Sequence, residues 1–219
     1  VRAFLEEISL ENLILSGHSQ GGLEAANLAV ILQKESPDLK LFGLIMLDAV
    51  GMYKQGKFEL AWKFLMDGAL SFFGKKKKES YFAYKDVNEG IMAEMKKSGI
   101  EYPKRFLQEL QEMAEANPRL EEIACPVILV QGERDMISSA DEIGSYDALK
   151  LPEGSEMTDN YNNSPWGGAL AGIFKNSPFV RWVRASKEPH HPSPLQRWRS
   201  VANVGVYLLE RYRRGQEKK

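Results

Sequence analysis

The sequence predicts an α/β fold, a mostly parallel sheet with flanking helices and an inserted helical segment. Three observations carry this reading. Short unbroken apolar runs recur at residues 13–15, 41–47 and 127–130, as expected of strands buried on both faces of a parallel sheet. Segments with helical spacing of apolar residues lie between and around them. The first run leads straight into Gly17-His18-Ser19-Gln20-Gly21, a G-x-S-x-G turn between a strand and a helix.

Taken in order, Val1, Phe4, Leu5 and Ile8 are spaced as on a helix. Asn12 ends a short polar turn before the first strand. A helix is expected from about residue 21 to 34, with Leu23, Ala26, Val30 and Ile31 along one side, broken by Ser36-Pro37-Asp38. The second strand ends at Asp48. Residues 51–122 then change in texture. Residues 58–73 form a helical segment that is apolar almost all round, and Lys75 to Lys78 follow it directly. Two more helical patterns cover about 84–97 and 104–116. This stretch reads as a helical cap, set into a core made of residues 1–50 and 123–219. A third strand precedes Gln131-Gly-Glu-Arg-Asp135. Residues 145–177 are rich in Gly, Asn, Ser and Pro and show little periodicity. A fourth strand is expected at 179–183. A final helix is capped by Ser193, with Pro194 at its first position.

Composition excludes several classes. With 219 residues, 43% hydrophobic, the chain can build one large core. Its formal net charge of −1 offers no bulk field for nucleic acid or an anionic membrane. Cys125 is the only cysteine, so no internal disulfide forms. Only three histidines accompany it, which leaves no credible metal cluster. The longest apolar run, 41–52, is interrupted by Gly43, Asp48 and Gly51 and is too short for an integral membrane segment. No signal peptide is visible, and a cytoplasmic location is the favoured expectation. The first residue is Val1, and the N-terminus is expected to be missing.

The turn at 17–21 explains its own residue types. A sharp strand-to-helix turn holds Ser19 in a strained conformation with its hydroxyl clear of the sheet. Gly17 and Gly21 are expected where side chains would collide as strand and helix meet. The backbone N–H of Gln20, at the helix N-terminus, is aimed where an oxyanion would form. A serine nucleophile needs a base, usually a histidine, oriented by a carboxylate. His18 adjoins Ser19 and should point away from it. The base is therefore His190 or His191, in a loop after a strand. Asp135, just beyond the third strand, is the leading carboxylate. Asp48, which also ends a strand, is the runner-up, with a loop hydrogen bond as its simpler role.

Three motifs together resemble the α/β-hydrolase superfamily. They are Gly-His-Ser-Gln-Gly at 17–21, Pro-Val-Ile-Leu-Val-Gln-Gly-Glu-Arg-Asp at 126–135, and a histidine loop before the final helix. The resemblance covers the C-terminal part of that fold, with the N-terminal strands absent from this chain. It implies Ser19 as nucleophile, Asp135 as acid and His190 as base, with His191 the alternate. It implies a carboxylic ester cleaved through an acyl-enzyme, a small-molecule substrate with an apolar acyl group, and no metal or organic cofactor. Ser19 argues against the aspartate-nucleophile members. Asp135 and His190 lie 55 residues apart, a wider spacing than is usual in the superfamily, and the excess falls in 145–177. An acyltransferase or thioesterase would use the same triad. A non-catalytic binding protein of the same fold is the reading from a different class.

Overall fold

The computed structural model of the chain describes residues 12–36, 38–73, 93, 96–99, 101–115, 117–132, 137, 173–185 and 195–217. In chain order these form β1 (Asn12–His18), α1 (Gln20–Glu35), β2 (Lys40–Leu47), α2 (Lys57–Phe73), α3 (Glu101–Ala114), β3 (Val127–Gly132), β4 (Val180–Ala185) and α4 (Leu195–Gln216). A short 3-10 helix, Pro118–Glu122, leads into β3. The four strands make one sheet in the order β1-β2-β3-β4, and every pairing is parallel.

The apolar runs are continuous because both faces of the sheet are covered. Leu44, Met46, Val127 and Leu129 face the side packed by Ala26 and Val30 of α1. Their neighbours Ile45, Leu47, Ile128 and Val130 face the other side, where Leu209 and Val206 of α4 cover them. Leu44, Ile45, Met46, Ile128 and Leu129 are all 1% exposed or less. Burying each such side chain is worth about 1.5–3 kcal/mol, so these two central strands anchor the core.

Helix α1 crosses from β1 back to β2, and alanines at 25, 26 and 29 let it sit close to the sheet. Ser36 closes it through a backbone N–H to the Leu32 carbonyl. Helices α2 and α3 pack on each other in a separate apolar cluster. Leu60, Leu110, Met113 and Ala114 meet Val50 and Ile137 there, and the Phe64 and Phe106 rings lie edge to face at 6.3 Å.

Most expected elements appear within two or three residues of their expected bounds. The fourth strand runs two residues further, to Ala185. Of the pattern at 84–97, residues 93, 96 and 97 are described and helical. The expected helix at 1–8, nearly all of 145–177, and the Ser193-Pro194 cap lie outside the described residues. No helix among the described residues is long and apolar enough to cross a membrane.

The topology sets the place for chemistry. In a parallel sheet every strand ends on the same edge, and sites gather just beyond those ends. His18 pairs with Leu47, and Leu47 with Val130. Ser19, Asp48 and the residues after Val130 therefore emerge side by side.

Candidate active site

Strand β1 gives way to α1 at a single residue, Ser19. Its backbone lies at φ 54°, ψ −123°, a conformation that residues with a Cβ seldom adopt. Three backbone hydrogen bonds hold it there. The Ser19 N–H donates to the Leu47 carbonyl at 2.8 Å. The Ser19 carbonyl accepts from Gly22 at 3.0 Å and from Val50 at 3.4 Å. Such strain persists where surrounding contacts over-determine it, and it clusters at functional sites. The Ser19 side chain is half-buried and does not cap the helix. Gln20 opens α1, so its N–H belongs to the first turn, whose donors lack intrahelical acceptors. His18, the last residue of β1, is half-buried.

The glycines divide the work differently from the sequence expectation. A Cβ on Gly17 would lie 1.9 Å from the Gly21 carbonyl oxygen, which no small shift relieves. Gly17 therefore matches its expected role. A Cβ on Gly21 would meet nothing within 4 Å. The collision expected at Gly21 falls instead on Gly22, whose Cβ would sit 2.6 Å from the Ala49 Cβ. Gly21 serves the turn as the backbone against which Gly17 rests. The signal for Gly22 is the Gly-Gly doublet, but the doublet alone does not say which member is pressed.

Asp48 ends β2 as Ser19 ends β1, also at positive φ, 46°. Its N–H donates to the Val130 carbonyl at 2.8 Å. Its side chain is 4% exposed, and Oδ1 accepts the Gly132 N–H at 2.6 Å. Asp48 thus ties the end of β2 to the end of β3, the loop hydrogen bond anticipated as its simpler role.

Beyond Asp48, residues 49–55 form a strap across the N-terminal half of α1. Gly51 accepts the Asn117 N–H at 2.8 Å, and the Asn117 amide donates to Asn27 of α1 at 3.1 Å. The Gln55 N–H donates to the Ala114 carbonyl at the end of α3. Buried Gln55 also accepts from Lys63 of α2 at 3.1 Å, while its own Nε2 finds no partner among the described residues. Lys63 also pairs with Glu59 one turn back, and this hydrogen bond holds the Glu59 carboxyl below its ordinary value. The strap therefore links the floor of the site to α2 and α3.

The structure brings together Gly17, His18, Ser19, Gln20, Gly21 and Asp48. Asp135, His190 and His191 lie outside the described residues. Cys125 is buried before β3, away from the strand ends, and burial pushes its thiol up to about 12. At that value it is a packing residue. Among the described residues no group of three or more His, Cys, Asp or Glu could hold a metal.

No protein-family model matches the sequence, and no curated protein matches it. Solved structures do. A bromoperoxidase from Bacillus anthracis is 16% identical, with 96% of this chain and 71% of that one covered at a TM-score of 0.55. The meta-cleavage product hydrolase CumD from Pseudomonas fluorescens IP01 is 11% identical, with 94% and 68% covered at 0.57. A monoacylglycerol lipase from Paleococcus ferrophilus is 17% identical, with 95% and 72% covered at 0.50. The fold is that of the α/β hydrolases. This chain matches about seven-tenths of each of these neighbours. In α/β hydrolases a G-x-S-x-G turn sits between strand and helix, as residues 17–21 do here.

Proposed function

We propose that this chain belongs to a serine hydrolase that cleaves a carboxylic ester through an acyl-enzyme. The observation that carries the reading is Ser19 at φ 54° on the strand-to-helix junction, locked by the Leu47 carbonyl. The neighbour named a monoacylglycerol lipase supports an ester as substrate. The cluster that α2 and α3 form above the strap supports residues 51–122 as a cap contacting an apolar acyl group.

In this mechanism Ser19 Oγ attacks the acyl carbonyl carbon, and His190, with His191 as alternate, removes the hydroxyl proton. The oxyanion accepts a hydrogen bond from the Gln20 N–H. The carbon–oxygen bond to the alcohol breaks, and the imidazolium returns its proton to the leaving oxygen. Asp135 orients the imidazole and stabilises its charged form. Water, deprotonated by the same histidine, then attacks the acyl-enzyme and frees the carboxylic acid and Ser19. No step needs a metal or organic cofactor.

The test is labelling by a fluorophosphonate probe together with hydrolysis of p-nitrophenyl butyrate. Ser19→Ala is expected to abolish labelling and lower kcat by about 10³-fold or more, with an unchanged circular dichroism spectrum. A folded Ser19→Ala protein that still labels or turns over would remove Ser19 from the mechanism.

A further inference from the structure

The peptide unit between Ser19 and Gln20 has two polar ends. Its N–H, on Gln20, is the donor proposed above for the oxyanion. Its carbonyl, on Ser19, accepts two N–H groups, from Gly22 at 3.0 Å and from Val50 at 3.4 Å. A peptide unit is planar and trans, so its carbonyl and its N–H point in opposite directions and turn together. Whatever holds the Ser19 carbonyl therefore aims the Gln20 N–H. Gly22 belongs to the same helical turn and moves with it. Val50 comes from another part of the chain, so its hold on the carbonyl is the one that other elements can alter.

Val50 faces two ways. Its N–H bonds to Ser19, while its side chain is buried in the cluster of Leu60 from α2, Leu110, Met113 and Ala114 from α3, and Ile137. On one side of it in the chain, the Asp48 N–H is fixed to the Val130 carbonyl of β3. On the other side, the strap is tied to the end of α3. The Gly51 carbonyl accepts the Asn117 N–H, and the Gln55 N–H donates to the Ala114 carbonyl, both at 2.8 Å. A close-packed cluster passes a displacement on, because it has no free space to absorb it. A shift of α3 against the sheet thus reaches Val50, and through Val50 the Ser19 carbonyl.

We propose that Val50 is a positioning residue, through which the packing of α2 and α3 sets the aim of the Gln20 N–H. The helical segment then governs the rate of the chemical step, beyond any contact it makes with an acyl group. This rests on the serine-hydrolase reading, which supplies the oxyanion.

The experiment compares p-nitrophenyl acetate with p-nitrophenyl octanoate in the full chain. The proteins are wild type, Val50→Ala and Leu110→Ala, each checked by circular dichroism. Val50→Ala keeps the N–H and removes the packing that places it. Both variants are expected to lower kcat by about tenfold to a hundredfold on both esters, with KM nearly unchanged, because a misaimed donor weakens transition-state binding alone. A trifluoromethyl ketone, whose adduct with the serine carries the same oxyanion, should lose affinity in step with kcat. Val50→Ile, which refills the cluster, should recover most of the rate. Side chains that merely lined an acyl cleft would raise KM for the octanoate and spare the acetate, and that pattern overturns the proposal. A second measurement needs no turnover. Amide hydrogen exchange at Val50 should quicken by about tenfold or more in Leu110→Ala, or in Leu110→Val if the alanine protein does not fold. Unchanged exchange in a folded Leu110 variant also overturns the proposal. The failure of the reading beneath it looks different. Turnover that survives Ser19→Ala removes both, whereas Ser19-dependent turnover indifferent to Val50→Ala removes only the role of Val50.

Discussion

Two neighbouring strands end in the same unusual way and put the result to different uses. Ser19 after β1 and Asp48 after β2 both take positive φ, 54° and 46°. Each donates its N–H at 2.8 Å to a carbonyl of the next strand, Ser19 to Leu47 and Asp48 to Val130. The backbone device is therefore shared, and backbone strain alone does not mark a reactive residue. The side chains separate the two. Asp48 is buried, and its carboxylate is spent on the Gly132 N–H. Ser19 is half-buried at the mouth of a helix and does not cap it. A strained residue whose side chain satisfies a buried backbone donor is a brace. One at a helix N-terminus whose side chain does not cap the helix fits the nucleophile proposed above.

The largest expected effect separates brace from catalyst among the carboxylates. Asp135→Asn should lower kcat by about 10⁴-fold, the cost of a mis-set histidine tautomer in a serine triad. Asp48→Asn keeps an acceptor for the Gly132 N–H and a residue type that tolerates positive φ, so kcat should stay within about tenfold. Steady-state kinetics on folded variants decides. The reverse ranking would make Asp48 the acid and undo the distinction between brace and catalyst.

Next in size is the demand for glycine around Ser19. Gly17→Ala pushes a methyl into the Gly21 carbonyl and should cost about 3 kcal/mol or more. Gly22→Ala meets the Ala49 side chain and should cost about 1–3 kcal/mol. Gly21→Ala enters open space on a helix and should be neutral or gain up to about 1 kcal/mol. Urea denaturation of the three variants gives the ranking. A Gly21→Ala protein as damaged as Gly17→Ala would show that the turn packs otherwise.

How legible these features were follows from how local their causes are. β2 and β3 stood out because both faces are buried and no polar residue breaks the run, whereas the run 13–15 of β1, at the edge of the described sheet, is only half-buried. β4 was harder to bound, since it closes the described sheet and carries Arg181 and Arg184. The strand-to-helix turn was legible from 17–21, because its steric demand acts between residues a few positions apart. The need for glycine at 22 was not, because the crowding atom belongs to Ala49, brought there only by the strand pairing. The role of Asp48 was anticipated in kind, yet its partner Gly132 comes from another strand and is invisible to local pattern. Asp135, His190 and His191 rest on motif and chain order alone.

The smallest effect tests the comparison most directly, because it changes both strained residues in the same way. Glycine removes the cost of positive φ, about 1–2 kcal/mol for a residue with a Cβ. At position 19 the turn is held by backbone hydrogen bonds that glycine retains. Ser19→Gly should therefore raise stability by about 1 kcal/mol while abolishing probe labelling, the trade expected where function keeps a strained residue. At position 48 the same relief is outweighed. Removing the carboxylate leaves the buried Gly132 N–H without its acceptor, at a cost of about 1–3 kcal/mol. Asp48→Gly should come out destabilised, by roughly 1 kcal/mol net. Opposite signs in paired urea melts support a reactive Ser19 beside a bracing Asp48. Matching signs mean that the two strand ends are not distinguished by their side chains, and the case for Ser19 would then rest on chemistry alone.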